Sequence, residues 1–139
     1  MERSLVLIKP DAMERNLAGS IIGRLQSLGL KLLALKMVKL DKAQAQQHYA
    51  VHKDKPFFSS LVDYISSAPI VAAVFSGEQA ISRIRKAMGA TDPAKSEKGT
   101  IRGDFGRDIE HNAVHGSDSV ETAETEIRLF FSGVEIFGP

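Results

Sequence analysis

The sequence predicts an α/β (α+β) protein, a ferredoxin-like βαββαβ sandwich whose mainly antiparallel four-stranded sheet is covered by helices on one face. Three features carry that expectation. Apolar runs at residues 4–8 and 69–75 are short and bounded by turn residues, as strands are. Segments of helical spacing separate the strands in the order of two split βαβ units. Residues 89–112 hold no apolar period, which leaves one long loop before the final strand and helix.

Residues 4–8 read as a buried strand. Lys9-Pro10-Asp11 stops it, because proline lacks the N–H a ladder needs. Residues 17–30 place Leu17, Ile21, Ile22, Leu25 and Leu28 at helical spacing, with Gly29 as the exit. Residues 31–40 alternate loosely, so Leu33, Leu35 and Met37 are expected on one face of a second strand. Asp41 and Gln44 form a capping box opening a helix to about His52. A loop at 53–56 leads to a short helix carrying Phe57, Leu61 and Ile65. Residues 69–75 make the third strand, and 77–88 a helix with Ala80, Ile81, Ile84 and Met88 inward, stopped by Gly89. The stretch NAVHGSDS (112–119) joins a short strand to the last helix. Val120, Ala123, Ile127, Phe130 and Phe131 form that helix's apolar stripe, with Asp118 and Ser119 as its caps.

A chain of 139 residues fits a single domain, 1–139, large enough to bury a core without covalent staples. The absence of cysteine excludes disulfides, thiolate metal sites and cysteine catalysis. The apolar runs at 5–8 and 68–75 are too short for a signal peptide or a bilayer span, so a cytoplasmic protein is expected. Net charge is only +1, but residues 83–107 hold seven bases against three acids. That segment is therefore +4 and the rest of the chain −3. A local cationic loop suits a compact polyanion such as a phosphate chain, although a merely solvated loop has the same pattern.

The glycine-rich signatures of nucleotide binding are missing, so side chains must hold any phosphate. The four histidines form two i, i+4 pairs, His48/His52 and His111/His115. That spacing can grip zinc on a helix, but neither pair has a clear third ligand. His115 has small neighbours, Gly116 and Ser117, expected to leave room for a bulky group. A helix start follows, and it favours anions. Imidazole is a neutral nucleophile at pH 7 but needs an orienting partner. Glu126 sits at the edge of the last helix's apolar stripe, where a carboxylate could reach an imidazole at the helix–sheet boundary. Lys9 projects a cation from a strand end, and Arg85 lies off the apolar centre of its helix. Arg102 in the long loop could fork onto a phosphate. Tyr49 with Phe57 and Phe58 makes an aromatic group, one ring for the core and the other for stacking on a base. Each of these residues also has an ordinary structural role open to it.

Four stretches together resemble the nucleoside diphosphate kinase family: IKPDAMERNLAG (8–19), HYAVHKDKPFF (48–58), MGATDPAKSEKGTIRGDFG (88–106) and NAVHGSDSVETAETEI (112–127). N-x-x-H-G-S-D is that family's active-site signature. The resemblance implies transfer of the terminal phosphate of a nucleoside triphosphate to a nucleoside diphosphate, by a ping-pong route through phosphohistidine. It implies that His115 carries the phosphoryl group and that Glu126 and Ser117 hold its ring. Lys9 would contact phosphates and the sugar hydroxyl. Tyr49, Arg85, Thr91 and Arg102 would line the phosphate site, Asn112 would bind the sugar, and Phe57 and Leu61 would clamp the base. Residues 89–112 become the nucleotide-binding loop. Mg2+ would arrive with the ATP or other NTP or NDP, with Asp118 near its shell. A homo-oligomer, tetramer or hexamer, is implied, with residues 133–139 contributing; no membrane is involved, and nucleic acid is not expected as the main ligand. Lys55 stands where many relatives have arginine. A non-catalytic nucleotide or nucleic-acid binding module using the basic loop, or a zinc protein using the histidine pairs, would be the competing readings.

Overall fold

The computed structural model describes residues 1–138. Strand β1 (Glu2–Ile8) is followed by α1 (Pro10–Glu14), α2 (Ala18–Gln26), β2 (Lys31–Val38), α3 (Lys42–His48) and a 3-10 turn at Ala50–His52. Next come α4 (Phe58–Ile65), β3 (Ile70–Gly77), α5 (Ala80–Met88), a 3-10 turn at Pro93–Lys95, α6 (Ile101–Phe105), β4 (Val114–Gly116), α7 (Val120–Phe130) and a 3-10 turn at Gly133–Glu135. The sheet order is β2-β3-β1-β4, with every neighbouring pair antiparallel. β3 is thus inserted between β1 and β2, as in a split βαβ unit.

Helices cover both faces of the sheet, not one. Val6, Ile8, Val71, Ala73 and Phe75 pack with Ile21, Leu25, Ile84, Met88 and Ile101. Leu5, Leu7, Ala72 and Val74 pack with Ala45, Val62, Ile65, Ile127 and Phe130 on the other side. Every residue of β3 is buried, so its apolar run does not alternate. A strand covered on one face alternates; an unbroken apolar run needs two covers.

Three local readings change. Pro10 does end β1, but it also starts α1, where its missing N–H costs nothing. In β2 a register shift between Leu32 and Ala34 breaks the alternation, so Leu33 and Ala34 are both buried. Leu35 is then 49% and Met37 65% exposed, off the face assigned to Leu33. The third strand runs on to Gly77, and the helix expected from 77 begins at Ala80.

Two caps hold as expected. Asp41 accepts from the Gln44 N–H while the Gln44 side chain accepts from the Asp41 N–H. Ser119, rather than Asp118, caps α7 by accepting from the Thr122 N–H. The stretch 89–112 contains α6, capped by Thr100, whose hydroxyl oxygen accepts from the Gly103 N–H. Five residues are too few to print an apolar period. A Cβ at Gly103 would lie 2.0 Å from the Glu97 carbonyl oxygen, so only glycine permits this turn.

Candidate active site

Strand alternation aims His115. On β4 it pairs with Leu7, and its neighbours Val114 and Gly116 turn toward the α5 side. His115 therefore faces α3 and α7. A Cβ at Gly116 would fall 2.5 Å from Met88 Sδ and 3.2 Å from Ile84 Cγ2. The glycine makes room for α5, not for an incoming group. Ser117 is fully buried and serves the chain too, which corrects the expectation of an open approach past both residues.

A polar relay fixes the imidazole. The Leu5 N–H donates to Ser117 Oγ at 3.0 Å, and that hydroxyl donates to Glu126 Oε1 at 2.6 Å. The other carboxylate oxygen, Oε2, lies 2.9 Å from His115 Nε2. Glu126 is 7% exposed. Burial works against its charge, but the hydrogen bonds from His115 and Ser117 outweigh it and hold the carboxyl below its ordinary range. An acceptor on Nε2 selects the tautomer with the proton there and leaves Nδ1 with its lone pair.

His48 backs this pair. Its ring stands edge-on to His115 with centroids 4.7 Å apart, and its Nδ1 lies 3.9 Å from Glu126 Oε2. Burial, then the neighbouring His115, lowers its pKa to about 3, so it is neutral at pH 7. Neither ring nitrogen of His48 has a hydrogen-bond partner among the described residues.

The backbone before His115 is strained. Ala113 has φ 75°, and the Val114 N–H donates to the Asn112 carbonyl at 2.9 Å, closing a γ-turn of the rarer, strained hand. Neighbours hold it there. Asp11 Oδ2 accepts from the Ala113 N–H at 3.0 Å, and the Lys9 N–H donates to the Ala113 carbonyl at 2.9 Å. The Tyr64 hydroxyl hydrogen-bonds the other oxygen of Asp11.

His115 opens onto a cleft of about 880 Å³ that also meets Lys9, Tyr49, Phe57, Leu61, Thr91, Arg102 and Asn112. All the residues expected to hold nucleotide meet there except Arg85. Arg85 lines an adjoining cavity of about 380 Å³ with Asp118, Thr91, Arg102 and His115, and donates to the Gly116 carbonyl at 3.3 Å. Lys9 is buried and donates to the Glu110 carbonyl at 2.7 Å and Asn112 Oδ1 at 3.0 Å. Burial above all brings its pKa down to about 8. Asn112 donates in turn to the Thr91 and Ile109 carbonyls, so it also clamps the loop. Arg102 lies on α6 rather than in a loop, donating to the Gly89 and Val114 carbonyls. Burial, then Arg85, lowers its pKa to about 10, and it stays cationic. Burial raises the Tyr49 phenol, which therefore remains a neutral donor. Phe57 is 46% exposed at the cleft wall while Phe58 packs against the core. Of the basic segment only Arg85, Arg102 and Arg107 line these two cavities.

The i, i+4 histidine pairs do not converge. His52 leans on Phe57, and His111 bonds Asp108 over the Tyr64 ring. Structure instead groups one member of each pair, His48 and His115, with Glu126. Sequence reasoning missed His48 in this role, and missed Asp11 and Tyr64 altogether. The available signal for Asp11 was a carboxylate directly after a helix-starting proline, which resembles any charged first turn.

A family model described as nucleoside diphosphate kinase matches residues 2–136. A nucleoside diphosphate kinase of Dehalococcoides mccartyi is 60% identical over 136 residues, covering 98% of this chain and 96% of that protein. One from Persephonella marina is 57% identical over 98% of this chain and 97% of its own. A crystal form of the Aquifex aeolicus nucleoside diphosphate kinase superposes with TM-score 0.95 at 46% identity, covering 97% of this chain and 98% of the other. A halophilic nucleoside diphosphate kinase from Halobacterium salinarum, in complex with CDP, gives 0.96 at 45% identity over 99% and 92% of the two chains.

Proposed function

We propose a ping-pong phosphotransfer through His115 for this chain, which belongs to the nucleoside diphosphate kinase family and is a nucleoside-diphosphate kinase. In the first half-reaction His115 Nδ1 attacks the terminal phosphorus of a nucleoside triphosphate. An N–P bond forms, the P–O bond to the leaving diphosphate breaks, and the diphosphate departs. The ring becomes a phospho-imidazolium whose Nε2 proton stays on its bond to Glu126. An acceptor diphosphate entering the same cleft reverses these steps. The observation that carries this reading is the Glu126–His115 bond, which occupies Nε2 and leaves Nδ1 for phosphorus.

Charge spreads over the phosphoryl oxygens in the transition state, so positioning and cations do most of the work. Lys9, Arg85 and Arg102 supply the cations, Tyr49 and Thr91 neutral donors. Asn112 meets the sugar, and Phe57 and Leu61 hold the base by contact without reading its edges, which tolerates any base. The complex of a relative with CDP supports a nucleotide in this cleft. Mg2+ fits this donor set only as part of the nucleotide. Asp118 offers one exposed carboxylate beside Arg85, far short of an oxygen cage. When bound it would neutralise phosphate charge, with Asp118 near its shell.

We further read residues 1–139 as one catalytic domain of a cytoplasmic homo-oligomer, a tetramer or hexamer. β2 is an edge strand bearing exposed Leu35 and Met37, covered in part by the C-terminal segment, whose Phe137 N–H donates to the Leu33 carbonyl; Val134 and Phe137 are themselves exposed. These surfaces suit self-association. Pro139, the end of the segment expected to contribute, lies outside the described residues. No helix among the described residues is long and apolar enough to cross a membrane.

Incubation with γ-labelled ATP tests the mechanism. Acid-labile, alkali-stable label should appear on wild type, be discharged by any nucleoside diphosphate, and be absent from His115→Ala. Normal labelling and turnover of the alanine variant would sink the assignment.

A further inference from the structure

We propose that His48, His115 and Glu126 form an inhibitory binding site for a borderline transition-metal ion such as Zn2+, separate from the magnesium that travels with nucleotide.

The donor set is assembled from three elements. His48 ends α3, His115 lies on β4 and Glu126 on α7, and one ligand atom from each lies within 4.8 Å of the other two. Glu126 Oε2 is 2.9 Å from His115 Nε2 and 3.9 Å from His48 Nδ1. Tetrahedral zinc with bonds near 2.0–2.1 Å spaces its ligands about 3.3 Å apart, so side-chain shifts of about an ångström complete the site. His48 provides the second, independent observation. Its side chain is 1% exposed, and both ring nitrogens lack a hydrogen-bond partner among the described residues. A buried polar group in that condition is expected to have a partner. Ser117 already holds Glu126 Oε1, which fixes the carboxylate with Oε2 toward both rings, the outer-shell support that metal ligands use. The three residues share the wall of the 380 Å³ cavity, which gives the ion a route in and a fourth position for water. Two imidazoles and one carboxylate suit zinc, copper or nickel; magnesium prefers oxygen throughout. With no cysteine in the chain, no thiolate competes for the ion.

The consequence rests on the phosphotransfer proposed above. For Nε2 to give its lone pair to the metal, its proton must leave and Nδ1 must take one up from solvent. Nδ1 then has no lone pair with which to attack phosphorus.

The test uses the full-length, nucleotide-free protein. Calorimetric titration with zinc chloride, and visible absorption with cobalt chloride, should show one site per chain with tetrahedral cobalt bands. Loss of an outer partner weakens metal sites by about 10- to 100-fold, so His48→Gln and Glu126→Gln should lose at least that much. His111→Gln, which alters the surface pair with Asp108, should bind normally. Histidine ¹⁵N spectra of wild type read the ligating nitrogens directly, whether or not a variant folds. Binding that survives in both variants, or spectra in which His48 and His115 do not move, would overturn the site. Zinc preloading should also abolish labelling by ATP in excess magnesium. A filled site with unimpaired labelling would count against His115 Nδ1 as the nucleophile, not against the site.

Discussion

His115 and Glu126 meet across the junction of β4 and α7, with Nε2 and Oε2 2.9 Å apart. The carboxylate selects the tautomer of the ring and is placed to balance the positive charge a phosphohistidine would carry. Glu126→Gln keeps the shape and removes the charge. Turnover should fall on the order of 10²-fold with KM little changed, because both Glu126 carboxylate oxygens are engaged by Ser117 and His115. Equal losses in binding and turnover in steady-state kinetics would contradict this. The same group makes stability depend on pH. Its folded pKa lies below its ordinary 4.5, so its contribution is complete above that value and lost as pH falls through the folded pKa. Acid unfolding of Glu126→Gln should lack this dependence.

Ser117 connects the relay to the sheet. Ser117→Ala leaves the Leu5 N–H and Glu126 Oε1 each without that partner in a buried setting. Urea denaturation should show a loss of about 1–3 kcal/mol. Turnover should fall less than in Glu126→Gln, since the carboxylate still meets His115. Unchanged stability would show that backbone rather than the hydroxyl fixes Glu126.

If Lys9 serves the phosphates as proposed, activity should be lost at alkaline pH. Burial lowers its pKa to about 8, so the free enzyme loses this cation as pH rises through that value. kcat/KM should fall with an alkaline limb near pH 8. Bound phosphate favours the charged form, so the limb in kcat should lie higher. Lys9→Arg should remove the limb from the accessible range; a limb that stays in place would assign it to another group.

Gly116 and Met88 are matched in shape. Gly116→Ala drives a Cβ to 2.5 Å from Met88 Sδ, and overpacking of this kind costs about 1–3 kcal/mol. Because Gly116 adjoins His115, turnover should fall with stability. Met88→Ala opens space at the contact, so the double variant should lose less than the sum of the single losses. Strict additivity in denaturation midpoints would show that the two do not couple.

Much of the molecule was legible in the sequence because its signals are local. The Asp41–Gln44 box and the Ser119 cap involve residues three apart, and both appear in the structure. Glu126 at the rim of the α7 stripe followed from helical spacing, and it does reach the sheet boundary. Leu35 and Met37 were misplaced because a single extra residue in β2 shifts every later side chain to the other face. α6 was not visible because one short helix leaves too little periodicity to detect. Covering on both faces was written in the unbroken apolar run of β3, but the covering helices could be identified only from their contacts.

By itself the sequence determined the order of the four strands and of the longer helices, the Asp41 and Ser119 caps, the family signature around His115 and the absence of thiol chemistry. Tertiary structure alone decided which distant groups meet. It brought Leu5 to Ser117, Asp11 to Ala113, and His48 from one i, i+4 pair to His115 from the other. Spacing along a chain constrains neighbours within a helical turn or a strand repeat. Partners this far apart in the chain, from 67 residues for His48 and His115 to 112 for Leu5 and Ser117, are selected by sheet order and the packing of helices on each face, and those are properties of the whole fold.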